Sequence, residues 1–171
     1  MFRLIGALLV IGAAGSFGVN SVWRMNQRVR ALRGLLTALE TMRSEICDRM
    51  TPLPELIDQL CHETAPPAKG LFLRLRQTMG ELGIQRFSAL WSKVVNQAHE
   101  LELHEGERQV LSDLGKTLGR YDIENQRHVI SYTLRRLEEY LVQAEETRRT
   151  QGKIHAVLSL TAGVFVVLIL L

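Results

Sequence analysis

DIENQRHVISYTLRRLEEYLVQAEETRRTQGKIHAVLSLTAGVFVVLILL, residues 122–171, changes character once along its length, and that change decides the fold. Up to Lys153 the stretch is charged and periodic. Ile123, Ile130, Leu134, Leu137, Leu141 and Ala144 follow at spacings of seven, four, three, four and three, a heptad stripe of about three repeats. Asp122 stands where a helix needs a side-chain acceptor for its free amides. From Ile154 onward there is no charge at all. As a helix rising about 1.5 Å per residue, that final segment would span roughly 27 Å. The hydrocarbon core of a bilayer is about 30 Å thick, so the length is close to a crossing. One helix therefore starts in water and is expected to end in lipid.

The opposite end mirrors it. LIGALLVIGAAGSFGVNSV, residues 4–22, is likewise uncharged. It would span roughly 28 Å on the same rise. Arg3, an apolar run and the small residues Ala13, Ala14, Gly15 and Ser16 also fit a cleaved signal peptide. No cleavage site is clearly bounded, however, and Arg24, Arg28, Arg30 and Arg33 follow, which hold that side in the cytoplasm and favour a retained anchor. Arg148, Arg149 and Lys153 flank the second segment in the same way. The reading is therefore a transmembrane helix over 1–23, a cytoplasmic domain over 24–153 and a second transmembrane helix over 154–171, with both termini on the far side. Gly12, Ser16 and Asn20, and Ser159 with Gly163, form small-residue stripes of the kind that let membrane helices approach, which leaves helix pairing or a homo-oligomer in the membrane open.

Between the ends lie all 18 acids and 20 of the 21 bases, a net charge of +2. A near-neutral block with no aromatic-interleaved basic patch gives no case for nucleic acid. Its size allows a core without metals or disulfides. Periodicity is helical nearly throughout, and an all-α bundle of about six helices is expected. Leu32, Leu35, Leu36, Leu39, Met42 and Ile46 line the first helix as it leaves the membrane. Thr51 is placed to cap the second, with Pro52 in its first turn and Leu53, Leu56, Ile57 and Leu60 facing the core. Pro66-Pro67 breaks that helix. Leu71, Phe72, Leu75 and Met79 mark the third helix, and Phe87, Leu90, Trp91, Val94 and Val95 the fourth. Val110, Leu111, Leu114 and Leu118 mark the fifth, with Gly119 placed to terminate it.

The search for chemistry returns little. No Gly-rich phosphate loop occurs. His99 and His104 in HELELHE are five apart, whereas two ligands sharing a helix face need a spacing of four, so a solvated junction is the better account. Cys47, Cys61 and His62 lack a fourth zinc ligand, and the cysteines read as free and reduced. Asp122, Glu124 and His128 offer a carboxylate and an imidazole without a nucleophile or an oxyanion donor set. No catalytic, metal or cofactor site and no small-molecule substrate is expected, and a metal-dependent hydrolase built on the His99–His104 region is the weakest functional reading.

The opening LIGALLVIGAAGSFG behind Arg3, the helix RVRALRGLLTALETMRSEI and the Thr51-Pro52-Leu53 turn resemble the stage III sporulation protein AB family. So does Leu118-Gly119-Arg120-Tyr121-Asp122 followed by Gln126 and Ile130, matching that family's LG-x-x-D-x-x-x-Q signature. The resemblance runs over essentially the whole chain. It implies a membrane component of the channel complex between mother cell and forespore, with a soluble domain similar to that of type II secretion F platform proteins. The implied role is to couple a cytoplasmic secretion-type ATPase, the stage III sporulation AA protein, to that channel and its other subunits from the mother-cell-derived outer forespore membrane. The alternative is a membrane-tethered regulator whose bundle binds a cytosolic partner transiently. Within the corner, Gly119 and Asp122 are expected to shape the turn. Gln126, with Arg127 and Ile130, is expected to present outward to a partner, so that Gln126→Ala would spare stability.

Overall fold

The computed structural model describes residues 22–119 and 122–150 with their side chains. The described elements are six helices, α1 (Phe2–Cys47), α2 (Leu53–Glu63), α3 (Lys69–Thr78), α4 (Phe87–Gln97), α5 (Glu105–Gly115) and α6 (Ile123–Leu170), with short 3-10 turns at Met79–Glu81 and His99–Leu101. No strand forms among the described residues; Leu82 and Gln85 make one isolated bridge. The all-helical expectation therefore holds. The expected membrane spans, 1–23 and 154–171, lie outside the described residues except for Val22 and Trp23. Among the described residues no helix is long and apolar enough to cross a membrane.

The frame is the pair α1 and α6, which share the most extensive packing in the molecule. They run antiparallel. Asn26 meets Arg148 and Arg33 meets Glu145 near one end, whereas Arg127 reaches Cys47 and Asp48 at the other. α2 to α5 fold back and forth against this pair, each packing on its neighbours in sequence. Helices that alternate in direction collect their connections at two ends. The turns at 48–52 and 79–86 and the turn leading from Lys116 to Gly119 share the end remote from Phe2 and Leu170. The connections at 64–68 and 98–104 share the other end, where Arg24 holds Glu102 at 2.9 Å.

The core follows the apolar spacings. Leu32, Leu35, Leu39 and Met42 of α1, Leu56, Ile57 and Leu60 of α2, Leu71, Phe72 and Leu75 of α3 and Trp91 of α4 are fully buried. Ile130, Leu134, Leu137 and Ala144 complete it from α6. Burial of this kind stabilises by about 1.5–3 kcal/mol per large side chain, which is what selects these faces. A buried indole needs a partner for its N–H. Trp91 donates that group to the Leu111 carbonyl at 2.6 Å, so its polar tip is satisfied inside the core.

Two local expectations are corrected. Thr51 does not cap α2. Pro52 takes the N-cap position, and the Thr51 hydroxyl donates instead to Glu45 Oε2 at 2.7 Å. Glu45 is a buried carboxylate in the last turn of α1, and Arg49 supplies it with another donor at 2.8 Å. A buried charge competes strongly for donors, which is why the hydroxyl turns toward it. The fifth helix ends at Gly115 rather than at Leu118. The amides of Lys116 and Thr117 bond to carbonyls three residues back. Such bonds tighten the chain into turns that lead to Gly119.

Candidate functional site

The residues singled out around 119–130 form one corner, where the α5–α6 turn packs onto the α1–α2 turn. Gly119 has φ +79°. That left-handed conformation costs a side-chain-bearing residue roughly 1 kcal/mol or more. A Cβ there would also stand 2.9 Å from Leu53 Cδ1, so the position is restricted twice. Asp122 Oδ1 accepts the Asn125 amide at 3.0 Å. It thereby takes up one of the free donors that open α6.

Gln126 does not present outward. The residue is only 4 % exposed, and its Oε1 accepts the Gly119 amide at 3.3 Å. The reason lies in the stripe itself. Ile123 and Ile130 are seven apart, and Gln126, three after one and four before the other, occupies the inward position between them. Ile130 is fully buried as well, and belongs to the core rather than to a contact surface. Of the three residues expected to meet a partner, only Arg127 reaches the surface. There its guanidinium donates to the Cys47 carbonyl at 3.3 Å and to Asp48 at 3.1 Å, pinning the start of α6 to the end of α1. The corner is a latch: each signature side chain is engaged in closing it.

This assignment reverses the expected phenotype. Gln126→Ala should destabilise the fold by about 1–3 kcal/mol, because the Gly119 amide loses its acceptor in a buried setting. Asp122→Ala, at an exposed cap, should cost about 1 kcal/mol. Thermal melts of the two variants check the order, and an unchanged midpoint for Gln126→Ala would refute the latch.

The chemistry available elsewhere is slight. Cys47 and Cys61 are free and buried, and burial, the largest influence on each, raises both thiols above their ordinary range. That suits inert core residues rather than nucleophiles. His104 forms the N-cap of α5 and donates its backbone amide to Glu107 at 2.6 Å, while His99 heads the preceding 3-10 turn. Among the described residues no group of histidine, cysteine and carboxylate side chains is arranged to hold a metal.

What the remote end does offer is apolar surface. Met50 is largely exposed in a left-handed conformation, φ +56°, and Ile84 is 88 % exposed beside Gly83, φ +105°. Leu82 is exposed with them. Large apolar residues held outward on turns, one at a conformational cost of about 1–3 kcal/mol, have no role in the core and leave apolar area facing solvent at this end. Periodicity does not reveal them, since residues in turns carry no period. The signal in the sequence is the isoleucine in Leu82-Gly83-Ile84, an apolar tip where polar residues are usual.

Residues 3–171 match the family model described as stage III sporulation protein AB. The chain is 27% identical over 172 residues to the stage III sporulation protein AB of Bacillus subtilis (strain 168), an alignment covering 100% of both chains. Its fold is similar to a solved structure of stage III sporulation protein AB, with a TM-score of 0.66 and 28% identity over 72% of this chain and 98% of that one.

Proposed function

The chain belongs to the stage III sporulation protein AB family, and from that premise we propose that it is a membrane platform of the channel complex between mother cell and forespore. In this reading residues 1–23 and 154–171 anchor it in the mother-cell-derived outer forespore membrane. The bundle faces the cytoplasm and couples a secretion-type ATPase, the stage III sporulation AA protein, to the other channel subunits.

One observation carries the reading. α1 and α6 run antiparallel and stay in register to Asn26 and Arg148, so the two uncharged segments leave the bundle side by side at the same end. Two spans of one membrane require that geometry. It also directs the opposite end, with Met50, Leu82 and Ile84, away from the bilayer toward a cytosolic partner. Gly119, Asp122, Gln126 and Arg127, the residues of the signature corner, are engaged in turning, capping and pinning helices, which suits a scaffold whose work is to hold partners in place.

The test uses the full chain purified in mild detergent from sporulating cells. The ATPase and channel subunits should accompany it in stable proportions. Ile84→Asp should lower ATPase recovery about tenfold or more, as expected of a central apolar contact, while leaving the melting midpoint unchanged. Stable channel association with no ATPase would remove the coupling role. Only transient, substoichiometric partners would favour a tethered regulator instead.

A further inference from the structure

The arginines at the end where α1 and α6 leave the bundle divide into two groups. Arg28 packs half-buried against Glu107 at 2.6 Å, Arg33 pairs with Glu145 at 2.5 Å and Arg24 with Glu102 at 2.9 Å. Among the described residues no acid stands within ion-pair distance of Arg30, Arg148 or Arg149, and all three are exposed. Membrane orientation alone asks only for positive charge on this side. It does not explain why some arginines are matched to acids and others kept clear of them.

Their height supplies a reason. Trp23, at the inner end of the first uncharged segment, is 52% exposed. Tryptophan settles at the headgroup level of a bilayer. Arg148 reaches Asn26 Oδ1 at 3.5 Å and so lies level with Asn26. Asn26 is three residues past Trp23, about 4.5 Å further along α1. The headgroup layer is roughly 5–7 Å deep on each face, half the difference between a core of about 30 Å and a membrane of about 40–45 Å. Arg148 and the adjacent Arg149 fall within it. Arg30, seven residues on from Trp23, shares its helix face. It stands between the Asn26–Arg148 and Arg33–Glu145 contacts, about 10.5 Å along α1 from Trp23 and so just outside the layer, which its long side chain can reach back toward. Glu146 is exposed on the same stretch of α6, and three arginines outweigh it.

Resting on the two-span reading above, we infer that Arg148 and Arg149, with the Arg30 side chain reaching in from just outside the layer, bind the phosphate of an anionic phospholipid headgroup. The guanidinium fork suits a phosphate, which it meets with two parallel N–H donors. The site ties the platform to anionic membrane at the point where its two anchors emerge.

The full chain is reconstituted in vesicles of phosphatidylcholine alone and of phosphatidylcholine mixed with phosphatidylglycerol. Lipids retained after detergent extraction are then identified by native mass spectrometry. The wild type should retain phosphatidylglycerol beyond its share of the mixture. Arg148→Gln and Arg149→Gln should each lower that preference about fivefold, the weight of one basic residue at an anionic surface. Lys116→Gln, on the opposite end, should leave it unchanged. Retained lipid that mirrors the vesicle composition, or a double variant that retains lipid like the wild type, overturns the site. Loss of the preference to excess glycerol phosphate overturns the lipid assignment in favour of a free phosphoryl ligand. An alkaline wash of the neutral vesicles separates the two readings. A chain that stays embedded but shows no preference loses only the headgroup site, whereas a chain that washes off loses the two-span reading and this site with it.

Discussion

Arg28→Ala is expected to destabilise the bundle by about 3–5 kcal/mol, the cost of leaving a buried charge without its partner. Glu107 is fully buried in the first turn of α5. It receives Arg28 Nε at 3.0 Å and Nη2 at 2.6 Å, and the His104 amide at 2.6 Å. Removing the guanidinium leaves a fully buried carboxylate with one remaining strong donor, the His104 amide. Glu107→Ala should cost less, because Arg28 retains some exposure, 12% of its side chain, through which its charge can be hydrated. The pair ties α1, near its exit from the bundle, to α5, so its loss should loosen that end first. Replacing both residues by leucine should recover much of the loss, since a buried pair adds little over apolar packing even though breaking it is costly. Thermal denaturation of the full chain in detergent decides the matter. A shift of about 3–5 kcal/mol corresponds to roughly 10 °C or more for a domain of this size. A midpoint within a degree or two of wild type would show that water reaches Glu107 and that the pair is a surface contact.

Trp91→Ala should be as severe, about 3–5 kcal/mol, through the cavity left at the centre of the α4–α5 packing. It also removes the indole bond to Leu111. Gly115 gives the sharper test. Alanine in place of glycine within a helix normally stabilises by about 1 kcal/mol. Here a Cβ would stand 2.6 Å from Trp91 Cγ and 2.9 Å from Trp91 Cβ, and those atoms lie close to the α4 backbone and cannot swing away. Gly115→Ala should therefore destabilise, by about 1–3 kcal/mol from overpacking. In a Trp91→Ala background the cost of the same substitution should fall sharply, because Trp91 Cδ1 and Cγ, the two nearest atoms, are gone and of the atoms it strikes Cβ alone remains. Denaturant midpoints of the two single variants and the double variant read this directly. Additive effects would mean that the helices re-space and that Gly115 is not set by Trp91.

Periodicity by itself determined the helical class, the succession of six helices and most of the core from Leu32 to Ala144, but not Ala38, Ala68, Ala98, Leu101 and Leu103, which are buried as well. The physical reason is local. A helix repeats every 3.6 residues, so a buried face writes itself into spacing within one element, and a proline or glycine ends an element whatever surrounds it. The uncharged ends were legible for the same reason, as runs whose length can be measured without knowing a neighbour. The heptad spacing also held the clue to Gln126. Its polar character suggested the surface, whereas its register between Ile123 and Ile130 placed it inside, and register prevailed because the Gly119 amide was there to satisfy it. Only the tertiary structure decided that amide's position, and with it the latch. The same is true of Thr51 turning from its own helix to Glu45, of Arg28 meeting Glu107 from a distant helix, and of Gly115 facing Trp91. A charge or a glycine carries no mark of its distant partner. Which arginine is neutralised and which stays free is settled by the packing of whole helices, because the cost of burying a charge depends on what else arrives in the same place.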